Sequence, residues 1–250
     1  MKCLGIIPSR YASTRFPGKP LADIAGKPMI RRVYESVTSA LKNVLVATDD
    51  ERIFKAVDRF GGNVVMTSTE HKSGTDRCAE ALDAYERNTS DKFDVVINIQ
   101  GDEPFIREDQ IKAILDCFSD RSTEIATLIK KISDNAIIFD PNRPKVVIDK
   151  KGFALYFSRS PIPAIRDSDI SEWQNKHEFY QHIGMYAYRS YVLRELSSLP
   201  QGVLEKAESL EQLRWLENGY KIKTALTEFE SYGIDTPEDL ENAIQQGMIK

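Results

Sequence analysis

Three cations, Arg10, Arg15 and Lys19, crowd one short stretch, Pro8-Ser9-Arg10-Tyr11-Ala12-Ser13-Thr14-Arg15-Phe16-Pro17-Gly18-Lys19-Pro20. Small hydroxyl residues, a glycine and fixed cations are what a triphosphate requires. Arginine forks onto two phosphate oxygens, and lysine brings a compact charge. The stretch reads neither GxxxxGK[ST] nor GxGxxG. A solvated basic loop is the bland alternative. A second segment, Val96-Ile97-Asn98-Ile99-Gln100-Gly101-Asp102-Glu103-Pro104, carries an apolar run into an acidic pair. An aspartate at a strand end beside a phosphate loop suits Mg²⁺, which takes one or two carboxylates and completes its octahedron with water and phosphate. A plain acidic turn is the competing reading. A third, Gly233-Ile234-Asp235-Thr236-Pro237-Glu238-Asp239-Leu240, opens a helix with Thr236 as N-cap and Pro237 as first residue. That grammar leaves Asp235 unexplained. Converging on Asp102, it would complete a magnesium site.

Other stretches carry weaker signals. Ser73-Gly74-Thr75-Asp76-Arg77 reads as a capped helix start, or as a nucleobase and ribose contact. Tyr156-Phe157-Ser158-Arg159 ends a strand with a cation able to pair a sugar carboxylate bidentately. His182-Ile183-Gly184-Met185-Tyr186 puts a histidine at a strand start, where a structural role is the commoner one. Glu211 and Gln212 flank the apolar stripe Leu204, Ala207, Leu210, Leu213, Leu216.

The elements that must position these residues alternate in type. Strand-like runs at Cys3–Pro8, Val44–Ala47, Val64–Met66 and Val95–Gln100 are interleaved with helical spacing at Met29–Ala40, Asp50–Phe60, Thr75–Tyr85 and Ile111–Phe118. This rhythm predicts a mostly parallel sheet with helices on both faces. Ligands of such sheets bind beyond the carboxyl ends of the strands, which points to the loops after the first and fourth strands. After about residue 124 the rhythm changes. Strands are expected at Ile125–Ile132, Lys145–Ile148, Phe153–Phe157 and Ile183–Tyr188, with a long loop over 159–181. A helix over Leu204–Leu216, a strand at Ile222–Leu226 and a helix over Pro237–Gln246 close the chain. The expectation is one domain over 1–250, with an insertion-rich region over about 125–200.

Composition sets bounds. With 250 residues, 41% hydrophobic and 29% charged, the chain is of ordinary globular type and large enough to fold without staples. Its net charge of −4 argues against a nucleic-acid binder. The first 35 residues nevertheless carry +5, leaving −9 for the other 215. Cys3, Cys78 and Cys117 form no CxxC pair, so neither a disulfide framework nor a zinc site is indicated. The only early apolar run, Leu4–Ile7, is too short for a signal core or a membrane span. A cytoplasmic protein that does not insert into membranes is expected.

The form Ile7-Pro8-x-Arg10-x-x-Ser13-x-Arg15-x-Pro17-x-Lys19-Pro20-Leu21 resembles the signature of nucleotidyltransferases that activate acidic sugars with CTP. With ATDDERI, MTSTEHKSGTDR, NIQGDEP, ALYFSRSPIP, HIGMYAY, LEQLRWLENGYKI and DTPEDLE in order, the chain resembles the 3-deoxy-manno-octulosonate (Kdo) cytidylyltransferases from about residue 3 to 245. The mild departure is Ser9, where relatives often carry alanine. The resemblance implies a Rossmann-like nucleotidyltransferase fold and a reaction of CTP with Kdo giving CMP-Kdo and pyrophosphate, for lipopolysaccharide synthesis. It implies catalytic roles for Arg15, Lys19, Asp102 and Asp235, and nucleotide contacts from Arg10, Ser13, Arg15, Lys19, Ser73, Arg77 and Asp102. It further implies sugar contacts from Gln100, Arg159, His182, Tyr186, Glu211 and Gln212, Mg²⁺ on Asp102 and Asp235, and a homodimer. The rival readings are a cytidylyltransferase for 8-amino-Kdo, sialic acid or a polyol phosphate, an NAD-dependent oxidoreductase, and a non-enzymatic nucleotide sensor.

Overall fold

The computed structural model describes residues 1–12, 15–230, 232–234 and 236–245. It begins with β1 (Cys3–Ser9), the short pair β2 (Asp23–Ile24) and β3 (Lys27–Pro28), α1 (Met29–Ala40), β4 (Val44–Thr48), α2 (Glu51–Arg59), β5 (Val64–Met66), α3 (Gly74–Thr89), β6 (Val95–Asn98) and α4 (Glu108–Asp116). It continues with β7 (Ile125–Lys131), α5 (Asn135–Phe139), β8 (Lys145–Ile148), β9 (Ala154–Ser158), α6 (Trp173–Lys176), β10 (Tyr180–Arg189) and α7 (Ser190–Ser197). It ends with α8 (Val203–Glu208), α9 (Gln212–Glu217), β11 (Ile222–Leu226) and α10 (Pro237–Gln245). The fold is α/β with parallel and antiparallel pairings. Among the described residues no helix is long and apolar enough to cross a membrane.

Two compact units emerge. The first gathers Met1–Ile111, Tyr188–Ser197 and Ser231–Lys250, and the second Lys112–Ala187 and Ser198–Glu230. In the first, β5, β4, β1 and β6 lie side by side and parallel. Every residue of β4 and β6 is buried, as are Leu4, Ile6 and Ile7 of β1, the pattern of strands covered on both faces. Helices α1, α2 and α3 pack against these strands. From β1 the chain steps outward to β4 and β5 on one side, and β6 lies on the other. The strand order thus reverses at β1, and the crevice beyond the ends of β1 and β6 is where such sheets bind ligands. Helix α2 is capped by Asp50, which accepts from the Arg52 amide at 2.8 Å, and α3 by Ser73, which accepts from the Asp76 amide at 3.1 Å.

A small apolar cluster ties the end of the chain to this unit. Ile24, Met29 and Ile234 are fully buried, with Phe16, Phe105, Tyr232 and Leu240 packed on them.

In the second unit β11 pairs parallel with β7, whereas β8 runs antiparallel to both β9 and β10. Burial of Ile132, Ile138 and Phe179, with Trp173 stacked on Phe179, fastens α5 and α6 to this unit. Here the sequence reading needs correction. The helix expected over Leu204–Leu216 is two helices, because Ser209 turns left-handed at φ 52° between α8 and α9. The loop expected over 159–181 contains a turn of 3₁₀ helix at Ile170–Glu172 and helix α6, and β10 has begun by Tyr180. Helices α5 and α7 were not expected at all. Each has at most eight residues, too short for a clear period.

Candidate active site

The loop after β1 is shaped by a tight contact. Gly18 adopts φ +73°, a left-handed conformation that favours glycine. Its amide donates to the Tyr11 carbonyl at 2.9 Å, and a Cβ at this position would lie 2.9 Å from the Tyr11 ring. The Arg52 guanidinium covers the same ring at 3.3 Å. This closure delivers Lys19 into a buried position, where its ammonium meets the Asp102 carboxylate at 2.6 Å. Arg10 and Arg15 line the same cleft from more exposed positions.

Asp102 arrives from the end of β6. The neighbouring Gly101 is required by space, since a Cβ there would fall 2.4 Å from Ser9 Oγ and 2.9 Å from the Pro8 carbonyl oxygen. Gln100 donates to the buried Asn98 side chain at 3.3 Å. The Ile234 amide donates to the Asp102 carbonyl at 2.9 Å, so the C-terminal segment reaches the metal candidate immediately before position 235. Asp235 itself, like Ser13, lies outside the described residues.

The third wall comes from the start of α3. His71, Lys72, Ser73 and Gly74 face a cleft of about 390 Å³ that Arg10, Arg15, Lys19, Gln100 and Asp102 also line. Arg77 borders it, with its side chain 4% exposed and three of its five N–H groups committed elsewhere. It donates to Asp49 at 2.7 Å, to Thr67 Oγ1 at 2.5 Å and to the Ser68 carbonyl at 3.2 Å. Arg77 thus ties the ends of β4 and β5 to α3. It is placed to hold the loop over 67–73 in position. Ser73 likewise spends its hydroxyl on capping α3.

The cleft has the electrostatics of a polyphosphate site. Arginines and lysines outnumber carboxylates in its lining, where Asp102 is the one acid among the described residues. Among the described residues, no group of three or more His, Cys, Asp or Glu side chains could hold a metal unaided. Magnesium bound with a nucleotide needs no such group. One or two carboxylates suffice when phosphates and water supply the other ligands, and Asp102 in a phosphate-sized cleft fits that donor set.

The remaining candidates, Gln100 excepted, belong to the second unit. The imidazole of His182 is only partly exposed, and desolvation pushes its pKa down to about 3. Its Nε2 lies 3.0 Å from Thr127 Oγ1, and Phe157 and Tyr186 flank the ring at 5.1 and 5.2 Å. Tyr186 continues to Trp215 with an edge-to-face contact at 4.8 Å. Gln212 is buried beside Glu211 at the start of α9, and among the described residues its amide nitrogen has no acceptor. Arg159 donates to the carbonyls of Glu208, Pro141 and Ser209 at 2.6, 3.0 and 3.2 Å, which leaves two of its five N–H groups for a ligand.

Sequence reasoning passed over His71, Lys72 and Trp215. The first two sit directly before the Ser73 cap, and a basic pair leading into a capped helix at a strand end was the available signal. Trp215 read only as part of an amphipathic helix.

The family model described as "Cytidylyltransferase" matches residues 4–222. A protein of Parabacteroides distasonis described as a 3-deoxy-manno-octulosonate cytidylyltransferase is 61% identical over 248 residues, 98% of this chain and 97% of that protein. One of the same description from Bacteroides thetaiotaomicron is 58% identical over 246 residues, 97% of each chain. Among solved structures, a CMP:2-keto-3-deoxy-manno-octonic acid synthetase complexed with CTP superposes with a TM-score of 0.90 at 42% identity, covering 100% of both chains.

Proposed function

The chain belongs to the cytidylyltransferase family, and from that premise we infer that it transfers the cytidylyl group of CTP to Kdo, giving CMP-Kdo and pyrophosphate for lipopolysaccharide synthesis. The observation that carries the reading is the cleft at the switch point, which Arg10, Arg15, Lys19 and Asp102 line together.

In this reaction the anomeric hydroxyl of the sugar forms a bond to the α-phosphorus, and the bond from that phosphorus to the pyrophosphate oxygen breaks. The hydroxyl proton passes to solvent water, and little covalent work falls to the protein. Arg10 and Arg15 bind the triphosphate and neutralise charge growing on the leaving pyrophosphate. Lys19, 2.6 Å from Asp102, holds its ammonium where phosphate and carboxylate would compete for it. Asp102 and Asp235 would hold Mg²⁺, which when bound supplies charge neutralisation and Lewis-acid polarisation at the phosphate and the attacking hydroxyl. Arg159 would fork onto the sugar carboxylate, with His182, Tyr186 and Gln212 lining the sugar's pocket and His182 acting as a neutral hydrogen-bonding group. Glu211 would add a further polar contact.

The same reading carries a cytoplasmic location and a homodimer. Leu155, Val203 and Leu226, more than half exposed in the second unit, are apolar groups that a partner copy would cover.

The sugar is tested by a panel. With CTP fixed, Kdo should give the highest kcat/KM, ahead of 8-amino-Kdo, sialic acid and polyol phosphates. A clear preference for any of the others would reassign the substrate.

A further inference from the structure

Cations dominate the cleft, and cations are donors. Arg10, Arg15 and Lys19 suit phosphate, but a donor set cannot favour cytosine over uracil. Cytosine presents an amino donor at N4, and uracil presents a carbonyl acceptor at the same position. Selection for cytosine therefore calls for an acceptor on the wall that meets the base. If the loop after β1 and Asp102 take the phosphates, the nucleoside end of the ligand is left to the wall that carries His71 to Ser73.

His71 has the chemistry for that role. Its Nε2 is hydrogen-bonded to Glu80 Oε2. The same oxygen accepts from the Ser68 amide at 2.8 Å, which fixes the carboxylate in place. An ionised carboxylate only accepts, so the proton of the imidazole resides on Nε2. In the neutral ring Nδ1 then carries a lone pair, and among the described residues nothing donates to it. The side chain remains 20% exposed while lining the cleft.

We propose that His71, set in its Nε2–H tautomer by Glu80, reads the base by accepting a hydrogen bond at Nδ1 from the N4 amino group of cytosine. The inference rests on the CTP-dependent function proposed above. His71 is then a specificity residue that takes no part in the bond-making step. Uracil would set its O4 lone pairs against that of Nδ1, so the same contact rejects it. Glu80 is the positioning residue. It acts through the tautomer and does not touch the ligand.

The test is calorimetric titration of the full chain with CTP and with UTP, in the absence of sugar. The wild type should favour CTP by tenfold or more. His71→Ala should weaken CTP about tenfold, the scale of one lost hydrogen bond whose donor stays unpaired, and leave UTP unweakened or somewhat tighter as the opposed lone pairs are removed. His71→Asn, which offers an amide oxygen near the place of Nδ1, should keep most of the preference. Glu80→Gln, which no longer dictates the tautomer, should lose part of it while preserving an acceptor for Ser68. Thermal melts verify that each variant is folded. Should His71→Ala fail to fold, His71→Asn and Glu80→Gln carry the comparison. Equal losses for CTP and UTP, or an unchanged ratio in both His71→Ala and Glu80→Gln, would overturn the proposal and make His71 a purely structural group. A wild type that binds neither nucleotide would instead overturn the functional reading on which it rests.

Discussion

Replacing Arg77 by methionine separates a nucleotide ligand from a residue that holds the site together. The guanidinium is 4% exposed and joins Asp49, Thr67 and Ser68 through bonds of 2.7, 2.5 and 3.2 Å. Arg77 is the only partner of the Asp49 side chain among the described residues, and that side chain is 16% exposed. Arg77→Met would thus leave a largely buried carboxylate without its counter-charge and two oxygens without a donor. Removing one member of a buried ion pair costs about 3–5 kcal/mol. For a chain of this size each kcal/mol moves Tm by about 2–4 °C, so the melt should fall by roughly 6–20 °C. Adding Asp49→Leu removes the orphaned charge, and the double variant should recover a large part of that loss. CTP affinity of the folded single variant should fall only because the loop over 67–73 has lost its anchor, and it should return in part with the second substitution. The assay is a pair of thermal melts, with and without CTP, on the wild type, both single variants and the double variant. A Tm within about 2 °C of wild type together with abolished CTP binding would instead make Arg77 a direct ligand.

Three more expectations follow from the same contacts. Lys19→Met removes the ammonium that compensates Asp102, so nucleotide-free protein should bind Mn²⁺ about tenfold more tightly by paramagnetic resonance titration, while CTP binding weakens; unchanged Mn²⁺ binding would contradict the pairing seen at 2.6 Å. Arg159→Ala should raise KM for the sugar with little change in KM for CTP, and an effect confined to CTP would misplace the residue. His182, held neutral by burial with a pKa of about 3 against 6.5 in the unfolded chain, stabilises fully above pH 6.5. As pH falls from 6.5 towards 3 the unfolded state binds the extra proton, so this contribution is lost at up to about 1.4 kcal/mol per pH unit. The fall in Tm across that window should flatten in His182→Asn, and an unchanged slope would show that other groups cause it.

The parallel half of the fold was legible because buried strands leave continuous apolar runs. Val44-Leu45-Val46 and Val95-Val96-Ile97 could hardly be anything else, and the loops after β1 and β6 followed from the strand rhythm. The site was legible where charge stood out against that background, as at Arg10, Arg15, Lys19 and Asp102. What stayed hidden depends on long-range partners. Nothing local shows that Arg77 meets Asp49, 28 residues away, or that Glu80 fixes the imidazole of His71. The break at Ser209 was missed because the apolar stripe from Leu204 to Leu216 continues across it, and one left-handed residue does not disturb a period. The need for glycine at 101 was equally hidden, because it comes from a lack of room for a Cβ beside Ser9.

Coupling of CTP to an acidic sugar in this cleft releases product and leaving group together, so phosphorus NMR of purified protein with CTP, Kdo and Mg²⁺ follows both at once. Inorganic pyrophosphate and a phosphodiester signal should grow equally, both dependent on Kdo and both lost with EDTA or in Asp102→Ala. Nucleotide breakdown without the phosphodiester, or undiminished turnover in Asp102→Ala, would contradict that coupling.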